Sequence, residues 1–176
     1  MTSVFSFRAQ YFNNNGDQGN LEALEHFSKQ RFQTASIEEA DFVLFGDASR
    51  AAMREFETEL ERCVPVLEQR LSSGLATLLV GSCYEFFAPR LSGMPKLEYG
   101  QRVSEFREVE ASGIRVRGYR NTEVLGQDLF IEGLFVGTTL FGPVLAKNLE
   151  LTKRMAAGLG LELSVTSQQQ QWFEQL

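Results

Sequence analysis

The segment LLVGSCYEFFA, residues 78–88, combines the end of a buried strand, a glycine turn and the start of a helix. The apolar run from Leu75 to Val80 is typical of a strand that is covered on both faces in a parallel sheet. Gly81 provides the turn, and residues 82–91 are predicted to form the next helix. A strand that passes directly into a helix in this way predicts an α/β fold.

The same alternation precedes this segment. Residues 4–7 form a short apolar strand, and apolar residues recur at helical spacing within residues 21–32. Residues 41–46 are a second buried strand that ends on a glycine, and a long helical region starts at about Ser49. Pro65 should break that region or begin a second helix, because proline lacks an N–H donor and clashes with the preceding turn.

After residue 105 the pattern changes to short β-like runs that indicate hairpins with antiparallel pairing. These runs are residues 106–109, 114–119, 123–125 and 134–140. Helical spacing returns within residues 149–159, and we expect Trp172, Phe173 and Leu176 to fold back on the body. No linker or repeat divides the chain, so we expect one domain, residues 1–176, with a mixed sheet.

Composition limits the class of protein. The chain has 176 residues, a formal net charge of −6 and a pI near 4.9, which argues against nucleic-acid binding. We expect a soluble cytoplasmic protein without a membrane span, because no apolar run approaches about 18 residues. Two cysteines and one histidine make neither a disulfide framework nor a zinc site, so no metal or cofactor is expected.

The segment VGTTLFGPVLAKN, residues 136–148, carries a resemblance to a known family. It resembles the G-T-Y-L-H-G-P-L-L-P-K-N segment of class I glutamine amidotransferases of the cobyric acid synthase and lipid II isoglutaminyl synthase type. In those enzymes the His takes the proton of a cysteine nucleophile, and Phe141 stands at its position here. The resemblance implies a flavodoxin-like three-layer sandwich with a mixed, mostly parallel sheet.

Other segments resemble the same family, in the family's order. NGDQGN, residues 15–20, is similar to Y-G-D-x-G-N, although a turn with a helix cap would also explain it. FGDASR, residues 45–50, stands where the family has F-I-G-G-G-x-D-x-E. Only Gly46 remains of the glycines whose amides help to bind the oxyanion, and Asp47 would place a negative charge beside it.

Residues 78–88 resemble the nucleophile segment, L-A-I-C-G-G-Y-Q-L-L-G. Without gaps, the nucleophile position falls on Gly81. A second register places Cys83 in the turn as a form of G-x-C-x-G, with Glu85 at the final glycine. The first register is preferred, because the thiol must occupy the strained turn between strand and helix.

RGYRNT, residues 117–122, resembles the family's T-G-F-E-N-H, with Thr122 at a histidine position and Arg120 at an acidic one. His26 is interpreted as a helix residue at the surface or the edge of the core, and Cys63 as a buried helix position. The positions for acid, base and nucleophile are therefore changed, whereas the glycines, Pro143 and residues 147–148 remain.

Three functional hypotheses follow. The first is a catalytically silent amidotransferase-like subunit, for which the resemblance implies as partner an ATP-dependent amide ligase, such as a Mur-ligase-like protein, or a paralogous glutaminase. The second is an active amidotransferase or amide hydrolase that uses Cys83. The third is a binder of a small polar ligand in the altered pocket. The predicted pocket residues are Gly46, Asp47, Ser82, Tyr84, Glu85, Tyr119, Arg120 and Asn121.

Overall fold

The computed structural model describes residues 1–175, except for the side chains of residues 172, 174 and 175. The strands are Ser3–Ser6 (β1), Gln33–Thr34 (β2), Phe42–Phe45 (β3), Thr77–Val80 (β4), Glu98–Ala111 (β5), Ile114–Leu125 (β6), Leu129–Glu132 (β7), Phe135–Thr138 (β8) and Leu140–Phe141 (β9). The helices are Gly19–Ser28 (α1), Arg50–Glu55 (α2), Glu57–Ser72 (α3), Ser82–Phe87 (α4), Val144–Lys147 (α5), Leu149–Gly158 (α6) and Ser167–Gln175 (α7).

The main sheet has six strands in the order β2-β1-β3-β4-β8-β7. All neighbours are parallel except β7, which pairs antiparallel with β8. The parallel strands alone run 2-1-3-4-5 in chain order, which is the flavodoxin-like order. The predicted α/β fold with a mixed, mostly parallel sheet is thus confirmed.

Helices cover both faces of this sheet. Along β3, Val43 and Phe45 point into a core with α2, α3 and α4, whereas Phe42 and Leu44 point into a second core with α1, α5 and α6. Because adjacent residues of a strand face opposite sides, a strand with apolar residues at every position needs a cover on each face. The result is three layers.

The hairpin region differs from the expected single mixed sheet. Strands β5, β6 and β9 form a separate antiparallel sheet in the order β5-β6-β9. The run predicted as one strand at residues 134–140 is divided at Thr139, whose N–H bonds to the Asp128 carbonyl, so β8 and β9 belong to different sheets. The sequence predicted neither β2 nor β7. Strand β2 has only two residues, which are too few for a pattern, and β7 shows no alternation of apolar and polar residues.

The expectation for Pro65 was wrong. Pro65 lies inside α3, on its exposed side, and the helical region is instead interrupted at Phe56, between α2 and α3. Leu60 and Leu67, which are fully buried, hold the helix on both sides of the proline. Their packing outweighs the hydrogen bond that proline cannot form.

The ends of two further predicted elements also differ or remain open. Helix α4 ends at Phe87, four residues before the expected end at residue 91. Phe173 is buried and its ring lies 5.6 Å from that of Phe27, as expected of a folded-back terminus. The predictions for Trp172 and Leu176 lie outside the described residues. None of the described helices has the length and apolar character needed to cross a membrane.

Candidate functional site

A polar cleft opens where the loops after the parallel strands β1, β3 and β4 meet β9. Its volume is about 550 Å³. Loops at the carboxyl ends of parallel strands are where α/β sheets place their ligands. The residues that line the cleft include Asn14, Asn15, Asp47, Arg50, Ser82, Glu85, Arg102, Asn121, Glu123 and Phe141.

Gly81 occupies the sharp turn between β4 and α4. Its φ of 55° and ψ of −119° are readily adopted only by glycine. A Cβ atom built there would collide with the Asp47 carboxylate and would lie 2.8 Å from Cε1 of Phe141. The turn that the sequence resemblance aligns with the nucleophile therefore carries no side chain, and two neighbouring side chains fill the space.

The Asp47 carboxylate lies against the first amide of α4. Its Oδ1 accepts a hydrogen bond from the Ser82 N–H at 2.9 Å, and its Oδ2 accepts from Asn15 Nδ2 at 3.0 Å. In a nucleophile elbow, the amide of the residue after the nucleophile is an oxyanion donor. That amide is here bonded to a carboxylate of the same chain, so a second anion is excluded by both occupancy and charge.

Asp17 is fully buried beside the backbone of Asp47, and it was not among the predicted pocket residues. Its Oδ2 accepts from the Asp47 N–H at 3.1 Å, and its Oδ1 has no hydrogen-bond partner among the described residues. Burial raises the Asp17 pKa to about 7, and the nearby Asp47 carboxylate acts in the same direction. The G-D pair of residues 16–17 carried the signal, although a turn explained it equally well.

The first and fourth resemblance segments pack on each other. Asn20 Oδ1 accepts from the Leu145 N–H at 2.8 Å, and Asn20 Nδ2 donates to the Asp17 carbonyl at 2.8 Å. A Cβ on Gly19 would lie 2.9 Å from Cβ of Pro143, so glycine permits this approach. These residues shape the loops around the cleft and do not line it.

Cys83 is fully buried and packs in the core beside α2 and α3. Burial raises its pKa well above the usual thiol value, and the negative charges of Asp47 and Asp17 add to the effect. A thiol of this kind forms no thiolate near neutral pH. Gly81, and not Cys83, thus occupies the turn between β4 and α4, which is called the elbow below.

Phe141 and Thr122, the two positions that the sequence resemblance aligns with histidines, carry no base. The Phe141 ring lies against Gly81, as described above, and β9 holds it there by pairing Phe141 with Tyr119 of β6. Thr122 is buried and donates to Glu85 Oε1 at 2.7 Å. Burial raises the Glu85 pKa, although the Thr122 bond opposes the shift.

Arg120 lies outside the cleft. Its Nη1 donates to both carboxylate oxygens of Asp128 at 2.9 Å, and its Nη2 donates to Glu105 Oε1 at 2.7 Å. The side chain is 7% exposed. Arg120 therefore joins the hairpin to the edge of the main sheet, and Arg102 is the arginine of the hairpin that faces the cleft.

The remaining predicted pocket residues lie in three places: the cleft, the core and the exposed hairpin. Ser82 and Asn121 line the cleft, where Asn121 Oδ1 accepts from Arg102 Nη1 at 3.0 Å. Tyr84 is fully buried, and its hydroxyl donates to the Gln127 carbonyl at 3.0 Å. Gly46 packs against the backbone of Phe12. Tyr119 is exposed on the hairpin.

Neither of the other candidate groups reaches the cleft. His26 is exposed on α1, and its Nε2 lies 3.2 Å from Nε2 of Gln169. Cys63 is half-buried on α3 and its thiol bonds to the Glu59 carbonyl. Among the side chains that the structure describes, no three histidine, cysteine or carboxylate groups cluster in a way that would hold a metal ion.

Comparisons with known proteins agree with this architecture. One solved structure that matches is a glutamine amidotransferase from Thermotoga maritima, with a TM-score of 0.50 and 14% sequence identity over 90% of this chain and 81% of that chain. The chain has a glutamine amidotransferase-like fold. No protein-family model matches the sequence, and no curated protein matches it. At this identity the similarity shows the amidotransferase-like fold alone.

Proposed function

We propose that this protein is a catalytically silent amidotransferase-like subunit that acts by interaction or regulation within an amide-ligase-type complex. The observation that carries the proposal is the state of the elbow: a glycine stands at the nucleophile position, and the Asp47 carboxylate is bonded to the Ser82 amide. An acyl transfer needs a nucleophile, a base and a free oxyanion donor. Here Gly81 and Phe141 stand at the nucleophile and base positions, and the donor amide is already bonded to Asp47.

Side-chain chemistry nearby supports the same conclusion. Asp17, Asp47 and Glu85 put three carboxyl groups around the elbow, and they would oppose a thiolate or an oxyanion there. Removal of one oxyanion donor costs roughly 3 to 4 kcal/mol of transition-state stabilisation. A site whose donor amide is already bonded to a carboxylate lacks that donor and also carries a repelling charge.

The proposed partner comes from the resemblance of the sequence segments. Proteins of the resembled type work beside an ATP-dependent amide ligase, often a Mur-ligase-like one, so we propose such a ligase, or a paralogous active glutaminase, as the partner. The subtype stays part of this proposal.

A glutaminase assay tests the absence of catalysis. Purified protein is incubated with L-glutamine, alone and with a candidate ligase, ATP and Mg²⁺, and ammonia is measured beside an active glutaminase. We expect no ammonia above the blank, and no difference between wild type and Cys83→Ala. Ammonia release that is lost in Cys83→Ala would establish the second hypothesis, an enzyme using Cys83.

A reconstitution assay tests the regulatory part. The protein is titrated into a glutaminase and ligase pair from the same source, and the rate of glutamine-dependent amidation is followed. We expect a change of at least about two-fold that saturates at a fixed stoichiometry. A rate that stays constant throughout the titration contradicts the role for that pair.

A second candidate function, the binding of a small polar ligand, is favoured by the open cleft. Arg50 and Arg102 face it from two sides, and Glu123 lies 3.9 Å and 3.6 Å from their guanidinium groups. A melting shift with one class of metabolite that disappears in Arg102→Ala supports this function. The absence of any shift across amino acids, carboxylates and phosphate esters counts against it.

A further inference from the structure

Strand β5 has one edge that is hydrogen-bonded to no strand among the described residues. It has 14 residues and is the terminal strand of the β5-β6-β9 sheet, so within residues 1–175 only one of its edges is hydrogen-bonded. Most of its residues are exposed, and Phe106, near its middle, is 60% exposed. Unpaired edges of this length are templates for pairing with another strand.

The two faces of this small sheet differ. The face with Val116 and Thr122 is buried against the body, whereas the other face carries a row of aromatic residues. Phe106 is paired with Tyr119, and Tyr119 with Phe141, so the three side chains stand side by side across the sheet. The row leads from the cleft to the free edge.

Symmetry limits how β5 could pair with a second β5. A two-fold axis perpendicular to the sheet makes the strands antiparallel and keeps the aromatic face on one side. Directly opposed residues then come from the same face. The axis must therefore lie level with a residue, which faces its own copy across the axis, and not level with the midpoint between two residues. Only a few registers remain.

The charges of β5 select among those registers. With the axis at Glu105, Arg107 or Glu108, that charge faces its own copy. The strand is irregular between Tyr99 and Val103, where its pairing with β6 shifts, so an axis at Val103 or Ser104 would set this irregular stretch opposite regular strand of the second copy. Like charges directly opposite each other destabilise a strand pair. An axis at Phe106 is the one central register without such a conflict.

We propose that β5 pairs antiparallel with β5 of a second copy about a two-fold axis at Phe106. In this register Glu105 lies opposite Arg107 of the second copy, and Arg102, at the end of the irregular stretch, lies beside Glu110. Val103 lies opposite Val109. The two three-stranded sheets join into one sheet of six strands, and the aromatic rows join at Phe106. A second copy fits this edge because the edge is complementary to itself.

The proposal is independent of the proposed function, because it rests on residues 98–111 and not on the elbow. Glu110 suits a test especially well, since it is exposed and forms no ion pair among the described residues, where the neighbouring arginines pair with Glu108. Arg102 is also exposed and bonds only to Asn121 and Glu123. Exchange of either charge should leave the fold intact, which urea unfolding checks.

Charge complementation tests the dimer. Sedimentation velocity of wild type over about 5 to 200 µM should show a concentration-dependent dimer. Arg102→Glu alone and Glu110→Arg alone each create two like-charge pairs, so each should dimerise at least about 10-fold more weakly. An equimolar mixture of the two variants restores both opposite pairs and should dimerise as wild type does.

A matched control and a second readout complete the test. Glu132→Arg makes the same charge change on the exposed edge strand β7 and should leave the dimer unchanged. In a Cys63→Ser background, a short bismaleimide should cross-link Phe106→Cys to itself, but not Ser104→Cys, which faces position 108. A monomer throughout the concentration range, or a dimer indifferent to both Arg102→Glu and Glu110→Arg, overturns the proposal.

Discussion

The backbone conformation of Gly81 decides which groups lie at the turn between β4 and α4. This turn has a sharp conformation that only glycine readily adopts. Without a side chain at this position, the same conformation serves to bring Asp47 and Phe141 together. The strained turn therefore lies where the geometry leaves no room for a reacting group.

Gly81→Ala should destabilise the protein by about 3 kcal/mol, because the methyl group adds a steric collision to the backbone strain. Urea unfolding measures the loss. Gly126→Ala is the matched control: its φ is also positive, at 76°, but nothing lies within 4 Å of a Cβ there. It should cost only about 1 kcal/mol. Equal losses would show that crowding at the elbow contributes nothing.

Asp17 should make stability depend on pH. Its pKa is about 7 in the folded protein and 3.8 for an ordinary carboxyl group, so the folded state holds a proton that the unfolded chain releases. Stability from this group is therefore complete below pH 3.8 and is lost as the pH rises through about 7. The shift corresponds to about 4 kcal/mol.

Asp17→Asn tests this dependence, because an amide cannot release a proton. Relative to wild type, the variant should gain stability progressively between about pH 4 and pH 8, by up to about 4 kcal/mol. Urea unfolding at several pH values measures the difference between the two proteins, in which the other carboxyl groups cancel. A difference that does not change with pH would mean that Asp17 is ionised in the folded state.

Helix α3 and strand β5 show that tertiary packing decides where a helix ends and which sheet a strand joins. In α3, buried leucines hold a helix that contains Pro65. In β5, an alternating pattern forms a strand in a separate sheet, which Arg120 attaches to the main sheet through Asp128. Neither outcome follows from the local pattern, because each depends on which surface the element meets.

Pro65→Ala should stabilise α3. The substitution restores an N–H donor in the helix interior and removes the clash of the ring with the preceding turn, while the exposed position adds no packing. Because proline also restricts the unfolded chain, we expect a net gain of about 1 to 2 kcal/mol, seen as a higher Tm. Gln69→Ala, also exposed on α3, serves as the control and should have little effect. A lower Tm for Pro65→Ala would show that the helix is built around the proline.

The whole molecule protects Cys83. The thiol is enclosed between the central strands and α2 and α3, so no local motion of a single loop exposes it. We expect iodoacetamide to label Cys83 only after global unfolding, whereas the half-buried Cys63 should be labelled slowly in the native protein, because burial raises its pKa to about 11. Mass spectrometry of labelling against urea should give the same free energy for Cys83 as unfolding does. Rapid labelling of Cys83 in the native state would reopen the hypothesis that it is catalytic.

The sequence by itself determined the alternation of strands and helices, the parallel sheet and the glycine turn at residue 81, because burial on two faces and backbone freedom are local properties of the chain. The family resemblance of the segments added the flavodoxin-like architecture. Gly81, Asp47 and Phe141 were also identified from sequence, since each stands at a position with a defined role in the resembled family.

Only the tertiary structure decided how the side chains meet. In the folded protein Arg120 pairs with Asp128, and Tyr84 is buried. Asp17 accepts a hydrogen bond from the Asp47 N–H, and the hairpin belongs to a separate sheet. Each of these outcomes joins residues that are separated along the chain, and their energies depend on desolvation and contact in the folded protein. A sequence pattern records which residues are apolar or charged, whereas the fold sets which of them become neighbours.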